Sequence, residues 1–353
     1  MTMETLMKSM VHCLLFPVFG FCLACVASGE ETVSVEIFSP TAKPLFPATL
    51  KVETLSTGYR LAEGPVWNKA EDCLFFVDIP ANSVYKWTKQ DGVSVYLNPS
   101  GQTGFAPSLK NGVIGANGLA FDQDQSLVLC QHGDRRIAKL IKSDGGKSEF
   151  ATLASHFQGK RFNSPNDLTI AKNGDIFFTD PPGGYLDLEN SDFEKGKVVF
   201  DTRHKELPFQ GVYHYHRGSQ KISLVTKEMN RPNGITLSRD GKRLYVGNAE
   251  GEAPHVMQFS TETYAGKLFF DGPFREQDKG VVDGMKVHSS GIVFITGPGG
   301  IHLVSEEGER LAHIRLDHPT TNLCFHPVET FLYFTTHTSV ARLKINRFSE
   351  PTR

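Results

Sequence analysis

Asn166-Asp167-Leu168-Thr169-Ile170, a turn at Lys172-Asn173-Gly174, then Ile176-Phe177-Phe178-Thr179-Asp180: in one short stretch a polar residue opens an apolar strand, the chain reverses, and a second strand closes on a polar residue. Asn and Gly suit the reversal because both tolerate the backbone angles of a tight turn. The same unit stands upstream as Glu63-Gly64-Pro65-Val66-Trp67 with Leu74-Phe75-Phe76-Val77-Asp78, and as Asn117-Gly118-Leu119-Ala120-Phe121 with Leu127-Val128-Leu129-Cys130-Gln131. Downstream it returns as Asn233-Gly234-Ile235-Thr236-Leu237 with Leu244-Tyr245-Val246-Gly247-Asn248, and as Asp283-Gly284-Met285-Lys286-Val287 with Ile292-Val293-Phe294-Ile295-Thr296. A less regular copy pairs Asn322-Leu323-Cys324-Phe325 with Phe331-Leu332-Tyr333-Phe334-Thr335.

The copies begin about fifty residues apart, the period of a four-stranded propeller blade. No stretch after the N-terminus keeps a helical apolar period, so the chain is expected to be all-β: a six-bladed β-propeller with a central tunnel. Closing the ring removes the exposed edges of an open sheet. An early strand near Thr49 to Leu55 is expected to complete the C-terminal blade and latch the ring. The long gap between the third and fourth copies leaves an insertion, Pro181 to Gln210, expected to lie over one mouth of the tunnel.

The 353 residues carry a formal net charge of −2, which offers no basic face for nucleic acid or an anionic membrane. The N-terminus differs from the rest. Lys8 precedes an apolar run from Val11 to Ala27, and small residues at Ala27-Ser28-Gly29 precede Glu30 and Glu31. This is the layout of a secretory signal over residues 1–29, with residues 30–353 forming one propeller domain outside the cytoplasm and free of the membrane. An uncleaved anchor, or a lipoprotein signal through Cys25, are the alternatives. Beyond the leader only Cys73, Cys130 and Cys324 remain, an odd and widely spaced set expected to be buried thiols rather than a disulfide framework.

In a propeller the first residue of each inner strand tends toward the axis. Those residues are Glu63, Asn117, Asn166, Asn233, Asp283 and Asn322: two carboxylates and four amides, with no Cys or His. Oxygen donors of limited charge suit Ca²⁺ rather than a soft metal. Without a cation, buried Glu63 and Asp283 would repel each other and one would hold a proton. For any single copy, Pro-Asn or Asn-Gly is ordinary turn chemistry; recurrence at the start of every copy is what points to a site.

Glu63-Gly64-Pro65, Ser164-Pro165-Asn166-Asp167, Pro232-Asn233-Gly234 and Asp283-Gly284, in that order, resemble the metal-site motifs of the SMP-30/gluconolactonase family. The runs from Cys130 to Arg136, Phe178 to Pro182 and Thr296 to Gly300 resemble its bacterial sugar-lactonase branch. The resemblance covers nearly everything after residue 50. It implies a six-bladed propeller with a catalytic divalent cation, here held by Glu63, Asn166, Asn233 and Asp283, and Asn117 as a substrate contact. Ser164 departs from the pattern, since animal members carry a sugar-contacting Arg at that place.

The expected reaction is metal-assisted opening of a small lactone, with Asp283, or else Glu63, accepting a proton from water. Asn117 and His132 would orient the ring hydroxyls, beside Asn166. Hydrolysis of other esters or phosphotriesters, a non-catalytic Ca²⁺-binding platform and a strictosidine-synthase-like condensation are the rivals. His214 and His216 share a strand face, which serves as a solvated face or a metal site. Gly-x-Ser-x-Gly is absent, so no serine nucleophile is indicated.

Overall fold

The structure is a computed structural model that describes residues 29–347 apart from 110, 145–146, 192–196, 198, 251–252 and 276. The apolar leader lies outside the described residues. Among those described, no helix is long and apolar enough to cross a membrane. Each repeat pair forms the two inner strands of an antiparallel sheet, and six such sheets build a propeller. The first blade, for example, is Ala62–Asn68, Cys73–Asp78, Ser83–Thr88 and Gly92–Leu97, in sequence order from the axis outward.

The innermost strands are Ala62–Asn68, Ala116–Phe121, Leu168–Ile170, Pro232–Leu237, Met285–Val287 and Thr320–Phe325. Each touches the next, and the last touches the first, so the ring closes. The second strands explain why the repeats read as unbroken apolar runs. In Cys73–Asp78, Phe75 and Val77 pack against the second blade, while Leu74 and Phe76 pack against the sixth. Every interface between neighbouring blades has its own apolar cluster of this kind. A strand buried on both faces has no polar side to alternate with. Cys73, Cys130 and Cys324 are free thiols buried in these layers, as expected.

The early strand is Lys51–Thr57, and it pairs with Ser339–Lys344 to complete the sixth blade. The N-terminal segment straps two blades. Glu30–Thr32 adds an outer strand to the sixth, and Val35–Ile37 adds one to the fifth. Neither of these two edge strands was expected from sequence.

The glycines that follow the axis residues have a steric cause. A Cβ on Gly64 would stand 2.2 Å from the carbonyl oxygen of Asn117, and one on Gly234 would stand 2.0 Å from that of Asp283. A Cβ on Gly284 would meet the Asn322 side chain at 2.1 Å. Each glycine therefore lets one inner strand approach the first residue of the next blade, and packing, rather than turn chemistry, accounts for the recurring pair.

Candidate metal and active site in the tunnel

The strand starts bring three carboxylates together: Glu63, Asp283 and Asp167, which electrostatically couple to one another. Glu63 Oε2 accepts hydrogen bonds from the Gly64 backbone at 2.6 Å and from Asn322 Nδ2 at 3.0 Å. The same amide nitrogen of Asn322 reaches Asp167 Oδ2 at 3.5 Å. Asp167 Oδ1 accepts from the Leu168 backbone at 2.8 Å. Burial, then the charge of Asp167, pushes Glu63 up to about 7, against the hydrogen bonds from Gly64 and Asn322 and the Lys286 cation. Burial, then Glu63 and Asp167, pushes Asp283 well above the usual carboxylate range. Without a cation, the repulsion between Glu63 and Asp283 favours a proton on the pair.

Asn117 is oriented by a chain of donors that can be followed atom by atom. His132 is buried, and burial pushes it down to about 4, so its ring is neutral. Its Nδ1 lies 3.1 Å from the Val113 carbonyl, which can only accept, so Nδ1 carries the proton. Nε2 is then bare and accepts from Asn117 Nδ2 at 3.3 Å. Asn117 Oδ1 is left buried without a hydrogen-bond partner among the described residues, as is Asp283 Oδ1. The structure thus places His132 behind Asn117, where it aims the amide.

Asn166 is buried beside this cluster, and Asn233 is half-buried at the start of its strand. Behind Asn166, the carboxylate of Asp180 accepts from the backbones of Asn163 and Ser164, each at 2.8 Å. Burial outweighs those donors and raises Asp180 to about 7. Ser164 does not reach toward a ligand: its hydroxyl donates to Pro181 O and accepts from the Gly184 backbone, fastening the insertion. Buried Arg135 holds the same insertion through Tyr185 Oη, the His204 carbonyl and Glu206 Oε1. A separate cavity of about 510 Å³ lies between the insertion and the first blade, lined by Arg60, Gln102, Asn111 and Glu189 among others, and includes none of the acidic cluster.

The donors fit a hard divalent cation. All are oxygens, Asp283 Oδ1 is buried and unpartnered among the described residues, and three carboxylates stand close with too little positive charge to balance them. Asp167 is the member that sequence reading missed. It closes the Ser164-Pro165-Asn166-Asp167 motif and occupies the place that Gly64, Gly118, Gly234 and Gly284 hold in four other copies, yet it was not read as a ligand.

The family described as SMP-30/Gluconolactonase/LRE-like region matches residues 61–338, the span of the whole ring of inner strands. The chain belongs to that family. A gluconolactonase from Zymomonas mobilis is 31% identical over 330 residues, covering 91% of this chain and 88% of its own length. A pentonolactonase from Haloferax volcanii is 25% identical over 290 residues, covering 80% of this chain and 83% of its own. The solved structure of a Xanthomonas campestris gluconolactonase superposes with a TM-score of 0.73 at 24% identity, over 92% of this chain and 100% of that one, and supports the fold.

Proposed function

We propose that this chain opens a small sugar lactone to its hydroxy acid with a divalent cation, Ca²⁺ by donor chemistry, held by Glu63, Asn166, Asn233 and Asp283. That it is an enzyme of the lactonase kind rests on its family and relatives. The observation that carries the metal is the buried, unpartnered Asp283 Oδ1 beside mutually repelling carboxylates.

A bound cation would polarise the lactone carbonyl and stabilise the charge that develops on its oxygen. Asp283 accepts a proton from water as the water oxygen bonds to the carbonyl carbon. The bond from that carbon to the ring oxygen then breaks, and the proton on Asp283 passes to the ring oxygen, leaving a hydroxy acid. Glu63 is the alternative acceptor. Asn117 Oδ1, aimed by neutral His132, accepts from a ring hydroxyl, and Asn166 positions the opposite side of the ring. A strained lactone needs only a modest push from such a base.

Acid release from aldonolactones, simple aliphatic lactones and a phosphotriester tests this reading. Aldonolactones are expected to be opened fastest, and a chelator to abolish the rate. Preference for the phosphotriester would move the substrate class, and turnover of none would leave a binding platform. We also infer export from the leader. Mass spectrometry of the exported protein is expected to find a first residue between Ser28 and Glu31, whereas retention of Met1 would indicate an anchor.

A further inference from the structure

We propose a second metal site, built by Asp175, His214 and His216 at the end of the third blade remote from the acidic cluster, for a borderline divalent ion such as Zn²⁺. Strand register sets the location. The inner strand leaves Asn166 and ends at Ile170, and Asp175 lies in the hairpin that follows. The second strand returns to Asp180, behind the tunnel site, and the third runs back from Gly211 to His216. His214 and His216 thus share a face at the far end, beside Asp175.

One ligand atom from each residue lies within 4.8 Å of the others. His214 Nε2 stands 3.0 Å from Asp175 Oδ2. That spacing is close to the edge of a tetrahedron with bonds of about 2.0–2.1 Å, roughly 3.3 Å. Two imidazoles and one carboxylate form a set that suits Zn²⁺ far better than Ca²⁺. His216 is half-buried, so one side of the cluster stays open for a water ligand and for entry.

Each of the three ligands has hydrogen-bond partners of its own. His214 Nδ1 meets Tyr264 Oη at 2.8 Å, and Ser223 Oγ meets His216 Nε2 at 2.9 Å. Tyr264 comes from the fourth blade, at a left-handed turn position with φ 60°. Asn173 Nδ2 and the Arg217 backbone hold the Asp175 carboxylate at 2.9 Å each. Phe177 stacks on the His214 ring at 4.0 Å. Such outer partners orient ligands and set which ring nitrogen is free. Burial, more than the opposing bond to Asp175, pushes His214 below its ordinary value, so the ring is neutral near pH 7.

In the structure a proton sits between His214 Nε2 and Asp175, because a carboxylate can only accept. A metal would replace that proton, and His214 would then carry its hydrogen on Nδ1 and donate it to Tyr264 Oη. A tyrosine hydroxyl can donate or accept, so the contact survives the switch. The ion would fasten the third blade to the fourth through Tyr264.

The test uses the full protein saturated with Ca²⁺, equilibrated with Zn²⁺, dialysed, and analysed for metal content. About one Zn²⁺ per chain is expected in the wild type. His216→Ala and Asp175→Asn are expected to weaken Zn²⁺ at least tenfold while Ca²⁺ content and lactone turnover stay at wild-type levels. His216→Gln, which keeps a polar side chain beside Ser223, replaces His216→Ala should that variant fail to fold. Absence of Zn²⁺ from the wild type, or Zn²⁺ retained by the variants, overturns the proposal.

Discussion

Asp283 combines two roles that substitution can separate. As a ligand alone, an Asn there would keep an oxygen for the metal and remove one charge, so saturating Ca²⁺ would restore turnover. As proton acceptor, its loss should depress kcat by about 10²–10⁴-fold whatever the Ca²⁺ concentration. The second outcome is expected for Asp283→Asn, measured at several Ca²⁺ concentrations. Recovery with excess metal would transfer the role to Glu63. Asp167 is expected to act on the metal rather than on the reaction. Its charge raises both Glu63 and Asp283, and Asp167→Asn should weaken Ca²⁺ at least tenfold, or about 1.4 kcal/mol, with kcat at saturation largely kept. Calorimetric titration of the variant separates the two. The axis residues Glu63, Asn117, Asn166, Asn233 and Asp283 were legible because each opens a copy of the repeat. Asp167 was not, because it sits one place later, where four of the other copies require a glycine for clearance. His132 was seen as a residue near the mouth, but its place behind Asn117 depends on a contact with Val113 that no local pattern displays.

At the scale of elements, the latch strand Lys51–Thr57 carries a contrast between packing and charge. Leu55 is buried against Tyr59, Leu74 and Val340, at the seam between the sixth and first blades. Leu55→Ala should cost about 2–5 kcal/mol through lost burial and a cavity. Glu53 pairs with Arg342 through two hydrogen bonds of 2.8 and 3.1 Å, but the pair is partly exposed. Glu53→Gln should therefore cost about 1 kcal/mol or less. Denaturant unfolding of both variants checks the ranking, and an equal or larger loss in Glu53→Gln would contradict it. The paired inner strands were readable because each second strand is buried on both faces and is mostly apolar up to its closing residues. The edge strands Glu30–Thr32 and Val35–Ile37 were not, since three exposed or half-exposed residues show no period. They exist because they pair with strands far along the chain.

For the whole molecule, buried histidines set the response to acid. Burial pushes His132 and His302 down to about 4 and His313 to about 2. Unfolded, these rings take protons near pH 6.5. Between about 6.5 and about 4 the unfolded chain binds more protons, so stability falls as pH falls. Asp180 has the opposite sign, because the folded chain keeps its proton up to about 7 while the unfolded chain releases it. Glu63 and Asp283 would join Asp180 in a metal-free chain, but a bound cation would keep them ionised. In saturating Ca²⁺ the histidines should prevail, and Tm should drop as pH is lowered across that window; calorimetry showing a flat or rising Tm would contradict this. The assembly of the ring exists to bring six strand starts to one axis, and the most direct check of what they hold there is a titration of metal-stripped protein with Ca²⁺, following bound metal and aldonolactone hydrolysis in the same samples. Hydrolysis is expected to be absent at the outset and to rise in proportion to occupancy of a single tunnel site; full turnover in the stripped protein, or complete occupancy without turnover, would contradict a metal-dependent lactonase.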